Sequence, residues 1–330
     1  TGFRNLYAYA SSSDGKTDTA ILNDSAGSDV FVGTSTYAMM VSAGSTIRAN
    51  NFDSNAAWST KGGADTAKLY DSAKNDILTV TPDSASLLTN EVHSFARVQA
   101  YSTKGGSDTA KFADSSEKDW FVAGQGYAYI YNQSRSYYAR ATGFRYVEAT
   151  SSGQGDQANL TDSALDDTFN SYADRAELLF GPSASLGSVS VSGFPNVTAS
   201  ATQGGKDVAN LASSAGNDSF AGSFNGSTAT GTLSGQDADG TYFSVRAEKF
   251  EQVKAAAGAG GSHSARLADS AVADLLLHLE GSVARLTDLD AVAGLWATGF
   301  GSVNATLSSK DDRVEIVPPV DYAYSIDQPE

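Results

Sequence analysis

A chain of 330 residues with 41% hydrophobic side chains can bury a core, which excludes global disorder. Its formal charge of −16 makes nucleic acid and anionic membrane poor partners, and the absence of cysteine removes disulfides, thiolate metal sites and a cysteine nucleophile. No apolar run reaches the roughly 18 residues of a membrane-spanning helix.

The N-terminal Thr-Gly-Phe-Arg-Asn-Leu is neither a signal peptide nor a start, so a mature or excised piece of a longer protein is expected. Phe3 opens a pattern that returns at Phe52, Phe95, Phe144, Phe194, Phe250 and Phe300, at intervals of 43 to 56 residues. Five residues after each Phe stands an alanine: Ala8, Ala57, Ala100, Ala149, Ala199, Ala255 and Ala305. A second block follows the first. It reads DTAILNDSAGSDVF at 18–31, DTAKLYDSAKNDIL at 65–78 and DTAKFADSSEKDWF at 108–121, with relatives at 156–169, 207–220 and 263–276. Its pairs Ala20 and Leu22, Ala67 and Leu69, Ala158 and Leu160 lie two apart, the period of a strand with one buried face.

Farther along, GYAYIYNQ places Tyr127, Tyr129 and Tyr131 on one strand face, with Tyr137, Tyr138 and Arg135 close behind. The Gly-, Ser- and Thr-rich stretch 219–249 predicts an extended loop or hairpin, and 271–279 alone has helical spacing. At the C-terminus, Val317-Pro318-Pro319-Val320 is expected to interrupt strand pairing.

Self-similarity at about 48 residues predicts a single elongated all-β domain over 1–330, with units starting near 3, 52, 95, 144, 194, 250 and 300. The expected fold is a parallel β-helix or β-solenoid of seven repeats, each made of two stacked coils, with Phe on Phe and Ala on Ala. A seven-bladed β-propeller is the alternative at this repeat length.

The segments GGADTAKLYDSAKNDILTV (62–80) and GGKDVANLASSAGNDSF (204–220) resemble the calcium β-roll repeats of RTX-type proteins in their Gly-Gly-x-Asp and Asn-Asp-x-hydrophobic pieces. The nine-residue tandem period of that family is absent. The whole unit is similar to repeats in large secreted bacterial proteins, planctomycete proteins especially. That resemblance implies an extracellular repeat architecture, secreted or at the cell surface, rather than an activity.

The recurring aspartates are the candidate metal ligands. They are Asp18, Asp24 and Asp29; Asp65, Asp71 and Asp76; Asp108, Asp114 and Asp119; Asp156, Asp162 and Asp167; then Asp207, Asp218, Asp269 and Asp274. Carboxylates with turn carbonyls suit Ca²⁺, which takes six to eight oxygens. The competing account is a ladder of Asx-turns, in which the same carboxylates accept backbone N–H groups. Tyr127, Tyr129, Tyr131, Tyr137, Tyr138 and Arg135 form the candidate carbohydrate site, set against a tyrosine ladder that serves the sheet alone.

Three histidines, His93, His263 and His278, stand in no catalytic frame, so no catalytic residue is assigned. The expected function is a stalk, spacer or fibre-forming module that associates end to end with itself or with neighbouring repeats. The alternatives are a carbohydrate-binding module, with polysaccharide as partner, and a β-helix polysaccharide lyase.

Overall fold

The structure is a computed structural model describing residues 4–11, 15–153, 155–237, 239–269, 275–290 and 292–329. Phe3 and Asp274 lie outside the described residues. The protein is all-β; among the described residues the only helical segment is a 3₁₀ turn, Pro182–Ala184. It forms two compact units, Thr1–Gln154 and Gly155–Glu330, each containing two sheets with extensive parallel pairing.

In the first unit the chain crosses back and forth between the sheets. The strand Asn5–Tyr9 lies in the first sheet, Thr19–Asn23 in the second, and Val30–Gly33, Tyr37–Ser42 and Ser45–Asn50 form an antiparallel triplet back in the first. The next repeat has the same three passes on the opposite sheets. Ser54–Trp58 joins the second sheet, Thr66–Tyr70 the first, and the triplet Ile77–Val80, Ser84–Leu87, Asn90–His93 the second. The third repeat returns to the starting arrangement, with Arg97–Tyr101 and the triplet Asp119–Gly124, Tyr127–Asn132, Tyr138–Thr142 in the first sheet.

Parallel ladders join the repeats. Arg97–Tyr101 pairs with Thr66–Tyr70 of the repeat before, and Ser54–Trp58 pairs with Thr19–Asn23. One sheet therefore runs through several repeats, whereas a propeller gives each repeat its own blade. The variable half of each of the first six repeats is a meander inserted in the plane of the sheet, in place of the expected second coil with loops. The stretch 219–249 is such a meander, with Asp218–Phe224, Ala229–Gln236 and Tyr242–Phe250 antiparallel. Of the helically spaced span 271–279, residues 271–274 lie outside the described residues, and 276–279 belong to the strand Leu276–Gly281. Val317 and Val320 keep ladder partners while Pro318 and Pro319 bulge between them.

The repeating alanines point inward: Ala57, Ala100, Ala149, Ala199, Ala255 and Ala305 are buried. They do not stack on one another, because equivalent strands of successive repeats fall in different sheets. Ala100 lies beside Leu69, and Ala149 beside Phe112. The sheets of the first unit meet through Phe112 and Phe121, whose rings are 5.7 Å apart.

In the second unit the sheets approach closely enough to require glycine. A Cβ on Gly231 would stand 2.7 Å from Val253 Cγ1, and one on Gly222 2.9 Å from a Leu295 methyl.

Candidate functional site

The aspartate blocks make reciprocal clamps between neighbouring repeats. In the turn DSAGSD, Ser25 donates its amide (2.6 Å) and hydroxyl (3.0 Å) to Asp29. Asp24 reaches forward and accepts the amides of Thr60 (2.8 Å) and Lys61 (2.6 Å). Asp65 reaches back and accepts the Asp29 amide at 2.7 Å and the Ser59 hydroxyl at 2.6 Å. The same set recurs one repeat later. Asp71 holds the amides of Thr103 and Lys104, Ser72 donates to Asp76, and Asp108 accepts from Asp76 and Ser102. Asp114 accepts the Ser152 amide and hydroxyl, and Ser115 donates to Asp119.

The second unit repeats the scheme. Asp162 holds the amides of Thr202 and Gln203, Ser163 donates to Asp167, and Asp207 accepts the Asp167 amide. Where Ser213 replaces the middle aspartate, its hydroxyl accepts the Gly258 amide. Ser214 still donates to Asp218. His263 takes the first position of the next block, with Nδ1 3.4 Å from Asp218 Oδ2. Asp156 is fully buried, Asp18 half-buried, and Asp269 lies against Asp312.

The Gly-Gly pairs at 62–63 and 105–106, which precede two of the blocks, are explained by contact. Gly63, at φ +101°, would place a Cβ 2.2 Å from the Gly27 carbonyl oxygen, and Gly106 repeats this against Lys74.

One clamp also brings three carboxylates together. One oxygen from each of Asp24, Asp29 and Asp65 lies within 4.8 Å of the others, and all three residues are buried. Asp24 Oδ1 is buried without a hydrogen-bond partner. Three converging carboxylates, with an unsatisfied buried oxygen on Asp24, suit a divalent cation. Lys61 contributes positive charge beside them; its ammonium donates to the Asp24 carbonyl at 3.0 Å.

Electrostatics differ along the ladder. Burial pushes the Asp29 carboxyl up, but hydrogen bonds from Ser42 and Ser25 and the Lys61 charge outweigh it, and its pKa is lowered. In Asp119, burial wins over the Ser115 hydrogen bonds, aided by the charges of Asp114 and Glu117, and the pKa is raised. In Asp207, burial first, then the charges of Asp167, Glu251 and Asp162, push the carboxyl up to about 7.

The aromatic site is placed on the outer face of the first unit's first sheet. Trp120, Tyr131 and Tyr138 occupy one row across three strands, with ring centroids of Trp120 and Tyr131 5.5 Å apart. Tyr129 stacks on Tyr131 (6.2 Å) and Tyr138 (6.3 Å), and Tyr127 lies on the same face. The Arg135 guanidinium covers the Tyr131 ring at 3.7 Å, and Arg97 covers Tyr138 at 4.9 Å.

Tyr137 departs from expectation. It is 4% exposed, and its hydroxyl donates to the Ala113 carbonyl, so it belongs to the interior and not to the aromatic face. Its neighbour Tyr138 takes the outward position, as strand alternation requires. Trp120, Tyr70 and Tyr101 extend the face beyond the residues that the sequence alone singles out. Strand alternation alone could have placed each outward, but only the ladder shows that they share a sheet with Tyr131.

No family model, curated protein or solved structure matches this chain.

Proposed function

We propose that this chain is a structural repeat module of a secreted or cell-surface bacterial protein, a parallel β-solenoid of seven repeats that serves as stalk, spacer or fibre segment. The observation that carries this reading is the clamp, in which each repeat accepts amides of the next with one aspartate and donates an amide to another aspartate of that repeat. A repeat so built is completed only by its neighbours. The strand Asn5–Tyr9 has one ladder partner among the described residues, and its Leu6 is 54% exposed, with Ile47 beside it and Ile21 also exposed. Such an edge takes another strand, from adjoining repeats or from a second copy.

Ca²⁺ held by Asp24, Asp29 and Asp65 would stiffen the first of these clamps. Light scattering and electron microscopy at rising concentration test the structural reading. Rods or end-to-end assemblies that Leu6→Lys with Ile21→Lys dissolves are expected. Strictly monomeric particles at high concentration, unchanged by the substitutions, would refute it.

A second reading, carbohydrate binding, is favoured by the Trp120–Tyr131–Tyr138 row, whose ring edges and hydroxyls meet the mixed apolar and polar surface of sugars even though the ring faces stack on one another. Retardation in glycan affinity gels tests it.

A further inference from the structure

We infer that the outer face of the first unit's first sheet binds an anionic polysaccharide, a carboxylated or sulfated glycan; this rests on the carbohydrate-binding reading above. Charge sorting carries the inference. In a chain with 38 acidic and 22 basic residues, the outward positions of this face hold Arg48, Lys68, Arg97 and Arg140 and no carboxylate. Arg135 and Lys118 flank it, over the rings of Tyr131 and Trp120. The second sheet of the same unit is mixed. It carries Glu91 and Glu148, and its Lys111 pairs with Glu148 at 3.0 Å. Among the described residues, Arg48, Lys68, Arg97, Arg135 and Arg140 form no ion pair with a carboxylate.

The rings refine the ligand class. Tyr129, Tyr131, Tyr138 and Trp120 are only half-exposed, because they cover one another and are covered in turn by Arg97, Arg135 and Lys118. Little bare ring is left for a neutral sugar to stack on. What projects is a set of cationic heads held over an aromatic floor, with Gln99 and Thr142 as uncharged hydrogen-bonding groups between them. A guanidinium fixed by a ring keeps its N–H edge free for a carboxylate or sulfate.

Spacing separates glycan from nucleic acid. Neighbouring strands place these cations at steps of about 4.8 Å or multiples of it. Duplex DNA presents a charge every ~1.7 Å and gains affinity by matching many of them, which the surrounding acidic surface opposes. A polymer with about one charge per sugar suits the sparser array.

The test uses the full chain in affinity electrophoresis through polygalacturonate, through neutral dextran, and against a DNA duplex of equal charge. Strong retardation in polygalacturonate alone is expected, weakened by salt and reduced roughly tenfold by Arg97→Gln with Arg140→Gln, two exposed positions, while the melting midpoint stays unchanged. Equal retardation by dextran, insensitive to the double substitution, would sink the anionic preference but leave carbohydrate binding standing. No retardation in either gel would remove both. Equal or tighter DNA binding would replace the glycan with a general polyanion and overturn the inference.

Discussion

The Asp108 carboxylate accepts the Asp76 amide proton at 2.7 Å, joining two residues 32 apart in sequence and one repeat apart in the fold. Asp108 is 1% exposed, so water cannot replace the bond.

Asp108→Ala should strand the Asp76 amide and the Ser102 hydroxyl, at a cost of about 1–3 kcal/mol. Asp108→Asn, which keeps one acceptor oxygen, should lose less. Urea denaturation midpoints measure both; equal losses would show that the carboxylate's acceptor role is not what matters.

Asp207 gives a pH dependence of definite sign. Its carboxyl rises to about 7 in the folded chain, against about 3.9 when unfolded, so the native state binds more protons between these values. This contribution is fully present below pH ~4 and is lost as pH climbs through 7. Asp207→Asn should therefore raise the melting midpoint at pH 8 and do little at pH 4. The difference between parent and variant, followed across pH, reads it directly.

Calcium should raise the thermal midpoint, by an amount equivalent to ~2.7 kcal/mol at a hundredfold excess over Kd. Asp24→Asn, which retains an acceptor for the Thr60 and Lys61 amides, should abolish the shift without unfolding the chain. Calorimetric titration with no heat for the parent protein would dismiss the cation.

Close sheet approach predicts that Gly231→Ala costs about 1–3 kcal/mol, because the added methyl meets Val253 and Phe220. Ala149→Leu, in the buried row beside Phe112, should cost a similar amount. Glu148→Leu, one residue away but exposed, should change stability by less than about 0.5 kcal/mol beyond its Lys111 pair. Chemical denaturation of the three variants separates inward from outward positions.

Much of this was written in the sequence. Period-two spacing at Ala67 and Leu69 announced strands with one buried face, and the Phe interval announced repeats. The direction of stacking was hidden, because a strand's residues do not say which sheet it joins; Ala100 meets Leu69 only through ladders formed by chain segments 31 residues apart. The aspartates were recognisable as turn residues, yet their partners lie in other repeats, so local reading could weigh Asx-turns against metal without deciding. Tyr137 parts from its neighbours because a cluster in sequence is not a face: adjacent residues on a strand point to opposite sides.

Three passes per repeat make parity a property of the array. Removing one repeat ahead of Arg97 would transfer the strands bearing Tyr129 and Arg140 to the side now held by Glu91 and Glu148. Removing two would restore each face to its side. An array of this kind can lengthen or shorten without scrambling its surfaces only in even steps, so its two sides can carry different chemistry over any such length.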